Sequence, residues 1–175
     1  MIEQLRQHEK EGWIKSQKHP TLPLIIWNYT EQTQYADRWD VVTTLCRGLV
    51  TDTQGEIVAH PFRKFFNYSQ LKAWNKVPQG NFKVLEKLDG SYIQVFTYND
   101  EFIVSSKGSF TSDQATMATD IIFQEGVADL FNPSYNYIFE LIHPQNRIVL
   151  DYGKREELVL LGIIDKRGTE IEIDG

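Results

Sequence analysis

The sequence predicts an α+β domain built mainly from antiparallel sheets, with few helices. Short apolar or alternating runs recur at strand period rather than helix period. Turn dipeptides separate consecutive runs, as at Gln54-Gly55, Asp89-Gly90 and Asn99-Asp100. The 175 residues are 41% hydrophobic and 13% aromatic, which is ample for a packed core and too apolar for a disordered chain. Residues 1–175 read as a single domain.

Each element has its own signal. Residues 2–16 read as a helix, with Ile2, Leu5, Trp13 and Ile14 among charges, ended by Pro20 and Pro23. Residues 24–29 form an apolar strand run, and 31–40 are polar and read as loop. Residues 46–52 and 56–60 read as a strand pair around Gln54-Gly55. Ser69 can cap a short helix over 69–75. Residues 82–87, 91–98 and 101–106 read as a three-strand meander. Ser112 can cap a helix over 113–124, stopped near Gly126. Residues 137–142, 147–152 and 158–164 are three further strand candidates, with a short last one over 170–173. The meander order gives antiparallel rather than parallel pairing.

Composition narrows the function classes. No apolar run approaches the ~20 residues of a membrane span. Met1 to Arg6 lacks the apolar core of a signal peptide. Cys46 is the only cysteine, so a cytoplasmic setting is expected. The net charge of −6 means that any nucleic-acid site must concentrate its cations locally. Neither a Gly-x4-Gly-Lys-Ser/Thr phosphate loop, nor Gly-x-Gly-x-x-Gly, nor Gly-x-Ser-x-Gly occurs. His8, His19, His60 and His143 share no metal-ligand spacing, so the metal ligands are unknown from sequence.

Lys87-Leu88-Asp89-Gly90-Ser91 is the chemically informative stretch. A lysine at a strand end beside an Asp-Gly turn can aim an amine at a phosphorus atom. An ordinary lysine is protonated at neutral pH, but cations or a bound metal nucleotide can lower its pKa. The same residues also read as a plain hairpin turn. Three cations stand near other strand ends: Arg47, Lys64 and Lys107. Each could neutralise phosphate or be a solvated surface charge. Phe65 and Phe66 argue for an anchored backbone at Lys64, and Gly108 permits close approach of a ligand beside Lys107.

Taken in order, four segments resemble the ATP-dependent RNA ligases of the phage RNA ligase 1 family, which are covalent nucleotidyltransferases. They are Cys46-Arg47-Gly48-Leu49-Val50, Arg63-Lys64-Phe65-Phe66-Asn67, Glu86 to Ser91 followed by Ser105-Ser106-Lys107-Gly108-Ser109, and Phe139-Glu140-Leu141-Ile142 leading into Asn146-Arg147-Ile148-Val149-Leu150. The resemblance spans about residues 24 to 164. It implies a nucleotidyltransferase fold and a cycle that joins 5′-phosphate and 3′-hydroxyl RNA ends through a lysine-AMP, using ATP and Mg²⁺. Lys87 is then the nucleophile. Arg47, Lys64, Glu86, Asp89, Gly90, Lys107 and Glu140 are the nucleotide-binding set. On a strand Glu86 would face away from Lys87, and exposure is an equal reading for it. Glu140, flanked by Phe139 and Leu141, needs a partner. The resemblance places it near the sugar, and a salt bridge to Arg147 is the alternative. The family continues into an acidic motif and a lysine pair that this sequence lacks, so the domain is expected to be incomplete at its C-terminal strands. A noncatalytic nucleotide- or RNA-binding remnant, or one subunit of a split ligase with a second polypeptide as partner, are the alternatives. DNA ligation or capping shares Lys-x-Asp-Gly but fits the wider pattern less well.

Overall fold

The computed structural model describes residues 1–70, 80–81 and 83–172. Its elements are α1 (Ile2–Lys10), β1 (Ile14–Lys18), β2 (Leu24–Tyr29), α2 (Glu31–Tyr35), α3 (Val41–Leu45), β3 (Arg47–Asp52), β4 (Ile57–Ala59), β5 (Ser91–Tyr98), β6 (Glu101–Ser106), α4 (Asp113–Glu125), β7 (Tyr135–Ile142), β8 (Glu157–Asp165) and β9 (Glu170–Ile171). They build two antiparallel sheets, in the orders β1-β2-β3-β4 and β6-β5-β7-β8-β9. The α+β class with mainly antiparallel pairing is the one the sequence predicts.

The apolar side chains sort into layers because strand residues alternate faces. Ile14, Ile25, Trp27 and Leu49 pack with Leu5 of α1 and with Val42 and Leu45 of α3. Leu24, Ile26 and Val50 point the other way and meet Phe96 and Ile103 of the second sheet. The far side of that sheet offers Ile93, Val95, Phe139 and Leu141 to Ala115, Ala118 and Ile122 of α4. Helices thus flank two stacked sheets, and the site opens where the sheets meet at one end.

α4 has the predicted ends. Ser112 accepts from the Ala115 amide at 3.3 Å, and Gly126 closes the helix in the left-handed region (φ +65°).

Several expectations are corrected. The first helix stops at Lys10, because Gly12 takes φ +82° and the chain turns into β1, which pairs with β2. Residues 31–40 are not all loop. Thr30 caps α2, and Asp40 caps α3 by accepting from Val42 and Thr43, both at 2.9 Å. Residues 83–89 form no strand, so the expected three-strand meander reduces to β5 and β6, and Asp89-Gly90 is not a hairpin turn; Phe82 lies outside the described residues. β5 pairs instead with β6 and β7. Residues 147–152 also form no strand. Of the helix expected over 69–75, only the short turn Tyr68–Gln70 is described; residues 71–79 lie outside. The last strand is Glu170–Ile171, and residue 173 lies outside the described residues.

Candidate active site

Asp89, Gly90 and Ser91, the last three residues of the Lys87 motif, are each fastened to a distant part of the chain. The Asp89 carboxylate Oδ2 accepts from the Val149 and Leu150 amides, both at 2.7 Å, and its own amide donates to Tyr152 Oη at 3.0 Å. Those two amides hold the Asp89 carboxyl below its ordinary value, and the charge of Lys87 adds to them. These bonds also take the Val149 and Leu150 amides away from any strand ladder. Gly90 donates to Glu140 Oε1 at 2.9 Å. It lies so close to β7 that a Cβ would come within 2.2 Å of the Leu141 carbonyl oxygen. Ser91 Oγ donates to Asn146 Oδ1 at 3.0 Å, and Gln114 of α4 donates to the same oxygen at 3.2 Å. The Asp-Gly-Ser part of the motif is therefore a clamp onto β7 and the segment after it. Lys87 is left exposed at the mouth of a cleft.

The cleft has a volume of about 840 Å³, within the range of small-molecule sites, roughly 300–1,000 Å³. Lys87, Glu86, Gly90, Arg47, Lys107 and Glu140 line it, so the structure brings six of the eight predicted residues together. The strand that would have turned Glu86 away from Lys87 does not form, and both border the cleft. Asp89 faces a smaller neighbouring cleft with Asn146, Arg147 and Tyr152. Lys64 lies just outside the main cleft.

The cations rest on aromatic rings. The Arg47 guanidinium lies 4.9 Å from the Phe65 ring and 5.2 Å from Tyr92. The Lys64 ammonium lies 4.7 Å from Phe66 and 5.4 Å from Trp39, and it donates to the Phe65 carbonyl at 2.6 Å. The Lys107 ammonium sits 5.3 Å from Tyr29. Burial pushes the ammonium of Lys107 below the ordinary lysine value, and the like charges of Arg47, Lys15 and Lys64 push the same way. Burial and Arg47 lower Lys64 too.

Glu140 is half-buried, and burial raises its carboxyl above the ordinary glutamate range. The Gly90 amide and the charges of Lys87 and Arg47 oppose that rise. The alternative bridge from Glu140 to Arg147 does not form; Arg147 pairs with Asp151 at 3.0 Å.

The sequence reading missed Tyr92 and Gln94. Tyr92 stands opposite Glu140 in the β5–β7 register, and its ring lies against Arg47. Gln94 is buried and ties the sheets together, donating to the Gly48 carbonyl at 2.7 Å and accepting from Asn136 at 3.2 Å. Their alternation with Ile93 and Val95 was the available signal.

The fold is that of the ligase-type nucleotidyltransferases. It superposes on a solved structure titled "Putative ATP-dependent DNA ligase from Aquifex aeolicus" with a TM-score of 0.59 and 18% identity, over 98% of this chain and 45% of that one. More narrowly, the chain belongs to the RNA ligase family, whose sequence profile matches residues 45–173. It is 27% identical over 172 residues (83% of this chain) to the "Putative bifunctional polynucleotide kinase/RNA ligase" of Autographa californica nuclear polyhedrosis virus. It is 25% identical over 161 residues (67% of this chain) to the "RNA ligase" of Rhodothermus phage RM378. The chain spans 24% and 36% of the lengths of those two relatives. Among the described residues no helix is long and apolar enough to cross a membrane.

Proposed function

We propose that this chain carries the nucleotide-transfer site of an ATP-dependent RNA ligase, with Lys87 as the nucleophile. The observation that carries the reading is the arrangement around Lys87: Asp89, Gly90 and Ser91 are clamped, while the exposed Lys87 borders the same cleft as Arg47, Lys107 and Glu140. In the proposed step the Nζ lone pair attacks the α-phosphorus of ATP. A P–N bond forms, the bond to pyrophosphate breaks, and the amine loses a proton to solvent. Such transfer depends mainly on positioning and charge neutralisation. Arg47 and Lys107 supply charge from inside the cleft and Lys64 from its rim. The Glu140 carboxylate accepts from a ribose hydroxyl with the oxygen that Gly90 does not engage.

Mg²⁺ is commonly held by one or two carboxylates together with substrate phosphates. Glu86 and Glu140 are the carboxylates lining the cleft and suit that arrangement. When bound, the ion would offset charge on the triphosphate.

RNA ends are the proposed substrates, sealed between a 5′-phosphate and a 3′-hydroxyl. A second polypeptide is a proposed partner of this chain. Label from α-labelled ATP retained on denatured protein tests the central step. Lys87→Ala should abolish the label. Lys87→Arg should too, because guanidinium stays protonated. Undiminished labelling of Lys87→Ala refutes the assignment. ATP binding by the wild-type chain without any label favours a binding module that performs no transfer.

A further inference from the structure

A second cleft lies beside the Lys87 motif. Leu88 and Gly90 line the main cleft, whereas Asp89 between them lines the second, with Arg147, Leu150, Tyr152 and Arg155. The two clefts share a wall. Ser91 and Gln114 line the main cleft, and they donate at 3.0 and 3.2 Å to Oδ1 of Asn146, which lines the second. The nucleotide-transfer step proposed for Lys87 uses neither arginine. The second cleft has a volume of about 250 Å³, below the roughly 300–1,000 Å³ of small-molecule sites. It suits a phosphate and its sugar rather than a whole nucleoside triphosphate.

Both arginines are exposed. Arg147 pairs with Asp151 at 3.0 Å, and Arg155 pairs with Glu157. Bridges between exposed side chains add little stability, so a phosphate can compete for either guanidinium. Each guanidinium presents a planar fork of donors that matches two phosphate oxygens at once. The frame behind them is fixed by the Lys87 motif itself. The Arg155 guanidinium lies 5.3 Å from the centre of the Tyr152 ring, and Tyr152 Oη accepts from the Asp89 amide at 3.0 Å. The Asp89 carboxylate holds the Val149 and Leu150 amides, two and three residues after Arg147.

We propose that this second cleft holds a backbone phosphate of the RNA strand whose end is brought to the AMP on Lys87, with Arg147 and Arg155 as the phosphate ligands. This rests on the RNA ligase reading. A ligase must hold a polyanion beside its nucleotide without displacing the nucleotide. The second cleft adjoins the first and shares none of its cations. Asp151 is the competitor that the phosphate displaces from Arg147.

The test uses the full chain, a 5′-phosphorylated single-stranded oligoribonucleotide read by fluorescence anisotropy across a salt series, and ATP affinity measured in parallel. Arg147 and Arg155 are exposed, so their replacement should leave the fold intact. Arg147→Ala and Arg155→Ala should each weaken RNA about three- to tenfold and reduce the slope of log K against log salt by about 0.7, the value for one phosphate contact on a single strand. Asp151→Asn keeps an oxygen for the Gly153 amide but releases Arg147, so it should tighten RNA binding. Arg167→Ala is the control for net charge. It removes an exposed cation beyond Asp165, at the opposite end of β8 from Glu157, and should leave RNA affinity unchanged. ATP affinity should change by less than about twofold in every variant. Unchanged RNA affinity and slope in both arginine variants would overturn the proposal, as would a wild-type chain that binds no RNA. An equal loss in Arg167→Ala would overturn it by showing an effect of net charge alone. Equal weakening of ATP and RNA would overturn it by assigning the arginines to the nucleotide. The ligase reading is judged separately by the Lys87 label, which requires no RNA.

Discussion

The Gly90 amide donates to Oε1 of Glu140 at 2.9 Å across 50 residues of sequence. This bond joins the segment bearing the proposed nucleophile to the strand bearing the acid that faces it. It uses one oxygen of Glu140, a residue that lines the cleft. The two groups are thus placed by each other.

Gly90→Ala tests that placement. Its Cβ would meet the Leu141 carbonyl oxygen at 2.2 Å, a backbone atom that cannot rotate away. The segment must move off β7, so the variant should lose about 1–3 kcal/mol of stability and most AMP labelling. Urea unfolding and labelling measured on the same preparation check both, and wild-type labelling by Gly90→Ala contradicts the clamp.

Arg47→Ala, Lys64→Ala and Lys107→Ala should each weaken ATP more than AMP, because ATP brings two more phosphates whose charge these cations would neutralise. A lost charge-assisted bond costs roughly 1.5–3 kcal/mol, or about ten- to a hundredfold in affinity. Calorimetric titration with both nucleotides separates this from a folding defect, which would weaken them equally.

Lys107 gives a pH prediction. Burial and its cationic neighbours lower its pKa, so its charge is lost at a lower pH than that of a free lysine. ATP affinity should therefore decline on the alkaline side before the ordinary lysine range is reached. The folded state binds this proton less tightly than the unfolded state, so the stability penalty is full below the lowered pKa and disappears as pH rises to the ordinary value. Lys15→Ala removes one of the like charges and should move the decline to higher pH, which an ATP titration against pH will show.

Glu140 shifts the other way. Burial raises its pKa, so its stability contribution is present below the ordinary glutamate value and is lost as pH rises through the raised one. Glu140→Gln keeps an oxygen for the Gly90 amide but cannot ionise. At neutral pH it should be at least as stable as wild type and label much less. Denaturant midpoints at acidic and neutral pH, set beside labelling rates, test this opposition.

Asp89 has a lowered pKa because two amides donate to it. Its contribution is present above the ordinary aspartate value and lost as pH falls through the depressed one. The hydrogen-exchange protection factors of Val149 and Leu150 should fall at acidic pH in wild type and be low at every pH in Asp89→Ala. Equal protection in the two proteins would show that Asp89 does not hold that segment.

Much of the molecule was legible in its sequence. Strand-period patterns gave β2, β5, β6 and the core of β7 and β8, because alternation reports which side chains face a packed layer. Ser112 and Gly126 gave both ends of α4, because caps are local chemistry. The ordered segments around Arg47, Lys64, Lys87, Lys107 and Glu140 pointed to the family. Tertiary structure decided what depends on partners distant in sequence. Residues 83–89 and 147–152 look like strands, yet the Asp89 carboxylate takes the amides of Val149 and Leu150, and no ladder forms there. Gly12 turns the chain early, so Lys15 lies on a strand, opposite Asn28 of β2, rather than on a helix. A backbone amide bonds to whichever acceptor folding brings nearest, and local sequence pattern carries no record of a partner 60 residues away.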